Sequence, residues 1–415
     1  MLTATPIKAQ QPAETQSTKG VLDELCREGA RQMLQAALQA EVRDYIESHG
    51  AEIGPDGRRL VIGNGYLPER ELMTGLGPLK IRQPRVRDER PGKRFSSQIL
   101  PPYLRRTPSI EALVPALYLK GISTGDFPAA LEAILGPDAA GLSATSVVRL
   151  KKVWEEDYEQ WRQRDLSNKH YVYVWADGIH FNVRLEDDRT CMLVLIGALE
   201  DGTKELIAVW DGFRESKDSW LDVLRDLRRR GLERPPKLAV GDGALGFWGA
   251  LAEVFPKTRR QRCWVHKTAN VLDKMPKRLH SRAKSMLHEM YLASTRKMAL
   301  EAYDAFLDAY SAKYPKACDC LVKDFEDLFA FYDFPAEHWI HIRTTNPIES
   351  TFATVRLRTR RTKGCGSTKA TLTMVFKLGI ECEKKWRRLN GSARIAQVVE
   401  GRRFIDGVLE GEKAA

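Results

Sequence analysis

A run of apolar, strand-forming residues without polar alternation, YVYVW at 171–175, is followed by Ala176, Asp177 and Gly178. Such a run is typical of a strand buried on both faces, in the centre of an α/β sheet. The strand is predicted to end at Asp177. The ends of central strands in open α/β sheets are where ligands and catalytic groups lie, whereas an ordinary strand-to-turn aspartate is the alternative.

The segment from 170 to 265 combines strand patterns with two helical patterns. The predicted strands are YVYVWAD (171–177), CMLVLIGAL (191–199), ELIAVWDG (205–212), LAV (238–240) and TRRQRCWVH (258–266). Helices are predicted after the third and fourth strands, and Asp201-Gly202 marks a hairpin turn between the second and third. Asp177 and Asp242 end the first and fourth strands. This β-β-β-α-β-α-β order matches the ribonuclease-H-like arrangement, in which those two strands lie side by side.

Helical patterns precede the strands. One amphipathic helix is predicted over 21–49, and helices over 108–121 and 123–136 end at glycines. Ser143 can cap a further helix whose first turns are basic. A short helix, a glycine-bearing turn and a basic helix form the layout of a DNA-binding helix-turn-helix, although many helical hairpins share it. The predicted DNA contacts in this helix are Arg149, Lys151 and Lys152.

Residues 275–333 are again helical in pattern, and we interpret them as a helical domain that interrupts the core. One apolar stripe at helical spacing comprises Cys318, Leu321, Val322, Phe325, Leu328 and Phe329. The predicted fold class is α/β: a ribonuclease-H-like catalytic core interrupted by an all-α insertion and preceded by a mostly helical DNA-binding region. The predicted regions are a flexible arm (1–20), an N-terminal helix with a basic β/loop part that binds DNA (21–107), a helix-turn-helix-like DNA-binding domain (108–166), the first part of the core (167–274), the insertion (275–335), the second part of the core (336–400) and a tail (401–415).

Length and composition describe a globular protein of several units. A chain of 415 residues is too long for one core and predicts two to four structural units. No apolar run approaches the roughly 20 residues of a membrane span, and the N-terminus lacks a hydrophobic signal core. The seven scattered cysteines do not suggest a disulfide framework. We therefore expect a cytoplasmic protein that does not engage a membrane.

The net charge of +11 matters chiefly because the basic residues cluster. Nine basic residues against two acids lie between Lys80 and Arg106, and Arg85 and Arg87 among them are predicted to contact DNA. A second cluster contains no acid: Arg356, Arg358, Arg360, Arg361 and Lys363. Diffuse positive charge can be only a solvated surface. Two dense patches far apart in sequence, however, suit a long anion such as DNA better than a small ligand.

A third carboxylate of interest lies in RTTNPIESTFATVRLRTRRTKG. Asn346 can cap a helix there, Pro347 suits its first position, and Glu349 would complete a capping box. A structural role is therefore as well supported locally as a catalytic one. The basic residues that follow on the same predicted helix favour catalysis, because a carboxylate at the head of such a helix can hold a metal while the helix grips phosphates.

Three carboxylates from distant segments suit the chemistry of phosphodiester cleavage. In-line attack on phosphorus requires charge neutralisation on the entering and leaving oxygens, which two Mg²⁺ about 3.5–4 Å apart provide. Mg²⁺ prefers hard oxygen ligands, and Asp177, Asp242 and Glu349 supply them. The 107 residues between Asp242 and Glu349 leave room for a helical insertion.

Four motifs together resemble the Mutator-type family of bacterial insertion-sequence transposases. They are WADGIH around Asp177, GDGALGFW around Asp242, QRCWVH with its Cys-x2-His spacing, and TTNPIEST around Glu349 with RTKG downstream. The resemblance extends from about residue 20 to 400. It implies that Asp177, Asp242 and Glu349 are a DDE metal-binding catalytic triad, and that the N-terminal portion recognises the terminal inverted repeats of the element.

The resemblance also implies cofactors, partners and a location. We expect two Mg²⁺ per active site, with Mn²⁺ able to substitute, and double-stranded DNA as both element end and target. Because two DNA ends must be joined, a homodimer or larger synaptic assembly is expected, associated with the bacterial nucleoid. Two alternatives stay open: a transposase-derived DNA-binding protein that no longer cuts, and a ribonuclease-H-like nuclease that cuts without joining.

The Cys-x2-His pair admits two interpretations. Cys263 and His266 could form a zinc site with His338 and His341, since two such pairs supply four ligands. The preferred interpretation is that His266 is a catalytic-site residue, contacting a DNA phosphate or orienting a catalytic group, while Cys263 packs in the sheet.

Overall fold

The computed structural model describes most of the chain in two compact units. The described residues are 18–110, 144–181, 190–243, 245–361 and 367–412, with six isolated positions between 113 and 132. The units are Met1–Val147 and Val148–Ala415. The helices predicted over 108–121 and 123–136 lie almost wholly outside the described residues. Within the described part, no helix combines the length and apolarity needed to cross a membrane.

The N-terminal unit consists of a long helix and short paired strands. Its elements are α1 (Thr18–Ser48), β1 (Val61–Tyr66), β2 (Arg70–Thr74), β3 (Gly77–Ile81) and β4 (Pro84–Asp88). Strands β1 and β4 pair antiparallel, and β2 and β3 form a second antiparallel pair. Leu38 of α1 packs with Leu72, Leu79 and Ile81 of the second pair and with Leu100. The helix predicted over 21–49 is thus observed, and its apolar side covers a sheet.

The second unit is built on one mixed sheet. After α2 (Ala144–Arg162) come β5 (Tyr171–Phe181), β6 (Thr190–Leu199), β7 (Lys204–Asp211), β8 (Leu238–Gly241) and β9 (Arg259–Arg262). The spatial order is β7-β6-β5-β8-β9. Strand β6 pairs antiparallel with both β5 and β7, whereas β8 and β9 run parallel to β5. The carboxyl ends of β5, β8 and β9 therefore point to one edge of the sheet.

Strand β5 is central and longer than the sequence predicts. It lies between β6 and β8, and every one of its residues except His180 is buried. The prediction that it ends at Asp177 is wrong: β6 pairs along the whole strand, to Phe181 opposite Thr190. What ends near Asp177 is the parallel pairing with β8, whose last pair is Ala176 with Gly241.

Two helices cover one side of the sheet. Helix α3 (Lys217–Arg229) begins after Ser216, whose hydroxyl accepts a hydrogen bond from the Ser219 N–H, and α4 (Leu245–Val254) follows β8. Trp220 of α3 and Phe247 of α4 are buried in one cluster with β5 and β6 residues. The predicted strand 258–266 is shorter than expected, because the chain enters a helix at Trp264.

Helices dominate the rest of the chain. They are α5 (Trp264–Leu272), α6 (His280–Leu292), α7 (Arg296–Tyr310), α8 (Pro315–Val322), α9 (Phe325–Leu328), α10 (Trp339–Ile342), α11 (Asn346–Arg361), α12 (Thr368–Glu383) and α13 (Ile395–Val399), followed by strands β10 (Phe404–Ile405) and β11 (Val408–Leu409). The apolar stripe predicted as one helix is divided between α8 and α9.

Asp324, between the end of α8 and the start of α9, forms ion pairs with Arg262 and Lys267. Phe306 and Phe329 are fully buried in this region.

Candidate active site

Asp177 and Asp242 lie next to each other at the edge where β5 and β8 stop pairing. Asp177 follows Ala176, and Asp242 follows Gly241, the two residues of the last pair between these strands. Asp177 is 5% exposed, and the side chain of Asp242 is 14% exposed. The parallel register therefore brings together two carboxylates that are 65 residues apart in sequence.

His266 and Glu349 complete the cluster from two helices. Oxygen atoms of Asp177 and Asp242 and a ring nitrogen of His266, in the first turn of α5, lie within 4.8 Å of one another. Glu349 Oε1, in the first turn of α11, is 3.6 Å from His266 Nε2. Four side chains from four separate elements thus converge, and they include all three carboxylates that the sequence singled out.

Cys263 joins the two helices that carry His266 and Glu349. The Thr345 N–H donates to Cys263 Sγ at 3.2 Å, and the Thr345 hydroxyl lies 3.3 Å from the same sulfur and 3.4 Å from His266 Nδ1. The Trp264 N–H donates to the Arg343 carbonyl at 3.0 Å. The Cys-x2-His motif and the Thr-Thr-Asn-Pro motif are therefore two halves of one connection, which sequence reasoning did not find.

The head of α11 differs by one residue from the predicted capping box. The N–H groups of Ile348 and Glu349 donate to the Thr345 carbonyl at 2.9 and 3.1 Å, so Thr345 rather than Asn346 is the capping residue. The Asn346 N–H donates to the Thr344 hydroxyl at 3.4 Å. The carboxylate of Glu349 lies against His266, where it can take part in chemistry.

Arg214, which sequence reasoning missed, is a further charged residue of the cluster. Its Nη1 lies 3.2 Å from Asp242 Oδ2 and its Nε donates to Glu215 Oε1 at 3.0 Å. The backbone of Arg214 is fixed because its carbonyl accepts a hydrogen bond of 2.8 Å from Trp220 Nε1. Gly178 in the sequence is consistent with a close neighbour at this position, since a Cβ there would collide with Arg214, but it does not indicate which residue that neighbour is.

Burial and neighbouring charges shift two pKa values in the cluster. Burial, with a contribution from the charge of Asp242, raises the pKa of Asp177 to about 6. Burial by itself would lower the pKa of His266, but contact with Cys263 and the charges of Asp177 and Asp242 raise it to about 9. The cluster therefore holds acidic groups in a partly desolvated place, balanced by cationic side chains.

The donor set fits a divalent cation. Carboxylate oxygens of Asp177, Asp242 and Glu349 are the hard ligands that Mg²⁺ and Mn²⁺ accept, and an imidazole nitrogen such as that of His266 is compatible with Mn²⁺. Among the described residues, Asp177, Asp242 and His266 form the group of histidine, cysteine and acidic side chains whose ligand atoms approach closely enough to share an ion.

The alternative zinc set is not assembled. The ring nitrogens of His338 are hydrogen-bonded to the Tyr173 hydroxyl at 2.8 Å and to the Gly391 carbonyl at 3.0 Å. His341 Nε2 accepts a hydrogen bond from the Asn390 N–H at 3.1 Å. These histidines thus tie the segment before α11 to β5 and to the chain after α12, while Cys263 bonds Thr345 at the end of β9.

The predicted DNA contacts lie on three elements. Arg356, on α11 two turns after Glu349, is exposed, as is Lys152 on α2. Arg358, Arg360 and Arg361 are on α11 and Arg149 and Lys151 on α2, whereas Lys363 lies outside the described residues. Arg85 and Arg87 are exposed on β4. Arg87 forms an ion pair of 2.5 Å with Glu89, so Arg85 is the freer of these two cations for an external anion.

Comparison with known proteins agrees with the resemblance seen in the motifs. The model of the family described as "Transposase, Mutator family" matches residues 2–389. The chain is 51% identical over 297 residues to the transposase for insertion sequence element IS6120 of Mycolicibacterium smegmatis, covering 72% of this chain and 91% of that protein.

Two further relatives extend this similarity. The transposase for insertion sequence element IST2 of Acidithiobacillus ferrooxidans is 50% identical over 286 residues, covering 67% of this chain and 94% of that protein. The transposase for insertion sequence element IS256 in transposon Tn4001 of Staphylococcus aureus is 29% identical over 300 residues, covering 71% and 74% of the two chains.

Proposed function

The chain belongs to the Mutator family of transposases, and we propose that it cuts the ends of an insertion sequence and joins them to target DNA at Asp177, Asp242 and Glu349. The observation that carries this proposal is the convergence of these carboxylates with His266 at one sheet edge. A role as helix cap or turn residue would not require these carboxylates to lie close together.

We assign the core of the second unit to the ribonuclease-H-like class. Support comes from the strand order β7-β6-β5-β8-β9, with three antiparallel strands followed by two that run parallel to the first. The two aspartates lie at the ends of the paired region of β5 and β8, and the glutamate arrives on a helix after a helical segment. On this proposal, residues 275–335 are an insertion that leaves the sheet intact.

Asp177, Asp242 and Glu349 would hold two Mg²⁺, for which Mn²⁺ substitutes. Divalent cations in such a site supply charge neutralisation on the entering and leaving oxygens of a phosphodiester. His266 positions Glu349, whose Oε1 lies 3.6 Å from its Nε2, and a ring nitrogen of His266 lies within 4.8 Å of an Asp177 oxygen. Arg214 restrains Asp242. Exposed Arg356 on α11 is directed to the DNA backbone next to the reacting phosphate.

The proposed reaction has two phosphoryl transfers. In the first, the oxygen of a water molecule attacks phosphorus at the element end, and the bond to the departing 3′-oxygen breaks, which leaves a 3′-hydroxyl. In the second, that hydroxyl attacks a phosphodiester of the target and displaces the target's own 3′-oxygen. No covalent protein–DNA bond forms. The contribution of the protein is positioning and charge neutralisation.

Two ends must be held together during joining, so we propose that the active form is a homodimer or a larger synaptic assembly on double-stranded DNA. The intact cluster speaks against a derivative that only binds DNA. A nuclease that cuts without joining is separated from a transposase by a strand-joining assay. Its expected products are target molecules linked to the labelled element end.

The test uses DNA that flanks this gene and carries the presumptive element ends. We expect the wild type to release a discrete 3′ end in the presence of Mg²⁺, and Asp177→Asn and Glu349→Gln to lose this cleavage while they still bind the DNA. Asp222→Asn, an exposed aspartate on α3, is the matched control and keeps full cleavage. Equal cleavage by wild type and Glu349→Gln would refute the assignment.

A further inference from the structure

The N-terminal unit contains a basic cleft of about 1140 Å³, and none of the residues of the carboxylate cluster lines it. Five arginines line it and only one acid, Glu71, does so. The arginines are Arg70, Arg85, Arg94, Arg105 and Arg106. Apolar residues such as Leu67 and Val86 also line the cleft, so it offers both cations and apolar surface.

Several of these arginines are available to an external anion. Arg85, Arg94 and Arg105 are exposed, and they form no ion pair with any residue that the structure describes. Arg70 is half-buried, and its Nε is a buried atom without a hydrogen-bond partner among the described residues, so Arg70 contributes charge to the cleft and no exposed donor at this nitrogen. Arg87, two residues beyond Arg85 on the same strand, does not line the cleft and is already paired with Glu89.

Tyr103 presents its ring to solvent at this cleft in an unusual backbone conformation. It is 94% exposed with φ +70°. The Leu104 N–H donates to the Pro101 carbonyl at 3.3 Å, which closes a turn with Pro102 and Tyr103 at its centre. Pro102 excludes a positive φ at the first central position, so this is a type II turn, whose second central position favours glycine or asparagine. A large aromatic residue occupies this position despite backbone strain, which indicates a role for its side chain.

The turn that carries Tyr103 is firmly attached to the unit. Arg70 Nη2 donates to the Leu100 and Pro101 carbonyls at 3.2 and 3.3 Å. On the other side of the turn, the Met73 N–H donates to the Arg105 carbonyl at 2.9 Å, which links the segment to β2. The backbone that carries the Tyr103 ring is therefore held in place, and the exposed ring extends from a fixed point of the cleft.

We propose that this cleft binds DNA at an unstacked base, with the base stacked on Tyr103 and the adjoining phosphates on Arg85, Arg94 and Arg105. The choice of DNA as the polyanion rests on the proposed function. Aromatic platforms beside cationic grooves are how proteins hold unpaired nucleotides, because every base has a π face and every linkage a negative charge. The N-terminal unit would then hold distorted or single-stranded DNA through residues other than those of the carboxylate cluster.

The experiment measures DNA binding by the full chain carrying Asp177→Asn, in buffer with EDTA, so that cleavage plays no part. The probes share one sequence: a fully paired duplex, the same duplex with one unpaired 2-aminopurine, and the single strand. We expect the unpaired probes to bind roughly 5- to 100-fold more tightly than the duplex, with quenched 2-aminopurine fluorescence. Introducing Tyr103→Gly into this variant should abolish both the tighter binding and the quenching, whereas Tyr103→Phe should retain them.

The controls distinguish a loss of binding at the cleft from a loss of folding and from a general loss of positive charge. Tyr103→Gly suits the turn, so this variant should unfold at a temperature no lower than its parent. Arg85→Gln should weaken binding and reduce the slope of log affinity against log salt by about 0.7. Arg58→Gln, which changes an exposed arginine of the same unit outside the cleft, should change neither. Equal affinity for all three probes, or a preference that survives Tyr103→Gly, would overturn the proposal.

The two proposals fail separately. If the wild type cuts element ends and the Tyr103→Gly variant still binds every probe as its parent does, only the proposal about the cleft is contradicted. A chain with a Tyr103-dependent preference that never cuts its element ends contradicts only the proposed function.

Discussion

At the residue scale, each aspartate of the cluster is followed by a glycine for a steric reason. A Cβ at Gly178 would lie 2.5 Å from Arg214 Cγ, and one at Gly243 would lie 1.9 Å from Arg262 Nη2. The Asp-Gly pairs are visible in the sequence, but the arginines that require them come from other segments. Sequence reasoning therefore found the carboxylates and missed Arg214, because nothing local in the chain indicates which residue will lie over a glycine.

Gly243→Ala should destabilise the protein, since Arg262 is buried and ion-paired to Asp324 and cannot easily move. We expect a loss of about 1–3 kcal/mol in the free energy of unfolding, measured with chemical denaturant. Gly249→Ala is the matched control. On α4 its Cβ would meet the flexible Lys217 side chain at 3.3 Å, so alanine should stabilise by about 0.5–1 kcal/mol. A neutral Gly243→Ala would contradict the steric argument.

Arg214→Gln should strengthen binding of a divalent cation to the DNA-free protein. The guanidinium near Asp242 is a competing positive charge, and its removal should raise Mn²⁺ affinity by up to about fivefold, the range of a partly exposed ion pair. Electron paramagnetic resonance of free Mn²⁺ measures this directly. Arg225→Gln, which removes an exposed arginine paired with Glu253, should leave the affinity unchanged. Weaker binding in Arg214→Gln would show that the arginine supports the cation site.

Asp177→Asn should stabilise the metal-free protein in a pH-dependent way. A carboxyl whose pKa is raised to about 6 by burial costs nothing below its unfolded value near 4, because both states are then protonated. The cost grows between about pH 4 and 6, where only the unfolded chain ionises, and it is fully present above 6. The variant should therefore gain up to about 3 kcal/mol over wild type at pH 8 in EDTA, and little at pH 4. Unfolding curves at the two pH values test this, with Asp222→Asn as the exposed control. An equal gain at both values would be evidence against burial as the cause.

At the element scale, strands were easier to predict than the positions where they end. Continuous apolar patterns placed β5, β6 and β7 correctly, because buried strands need such residues. The end of β5 depends on how far β6 follows it, and the end of β9 on the hydrogen bond between the Thr345 N–H and Cys263. Strand pairing and hydrogen bonds between distant segments leave no periodic pattern in the sequence. Asp177 was therefore expected at the end of a strand but lies inside strand β5.

Thr345→Val should uncouple α11 from the rest of the cluster. The hydroxyl touches Cys263 Sγ and His266 Nδ1 in a fully buried place, so its loss should cost about 1–2 kcal/mol and lower Mg²⁺-dependent cleavage. Thr373→Val is the comparison variant, because that buried hydroxyl bonds only carbonyls of its own helix. We expect a similar stability loss there with normal cleavage. Equal cleavage by both variants would deny the connection a role in positioning Glu349.

At the scale of the whole molecule, charge and composition predicted the class of partner, and motif spacing predicted which residues meet. The strand pattern predicted that β5 and β8 lie side by side, as they do, and the long interval before Glu349 indicated a helical segment. The basic cleft could not be foreseen in this way. It depends on a turn at Tyr103 and on arginines from four separate stretches of the N-terminal unit, whose proximity is a property of the folded unit alone.

A divalent cation should stabilise the whole second unit through the cluster. At a Mn²⁺ concentration 100 times the dissociation constant, the free energy of unfolding should rise by about 2.7 kcal/mol, with a matching rise in the melting temperature. Asp242→Asn should lose this gain, and Asp222→Asn should keep it. A gain that persists in Asp242→Asn would locate the cation elsewhere.

The long interval between Asp242 and Glu349 has a consequence for synthesis of the chain. A ribosome delivers the N-terminal unit first, both aspartates and His266 next, and Glu349 only when about five-sixths of the 415 residues have been added. Every nascent or prematurely terminated chain that stops before residue 349 lacks one carboxylate of the cluster. Translation beyond residue 349 is thus itself a safeguard, because no fragment that ends before Glu349 carries the full set of acidic groups.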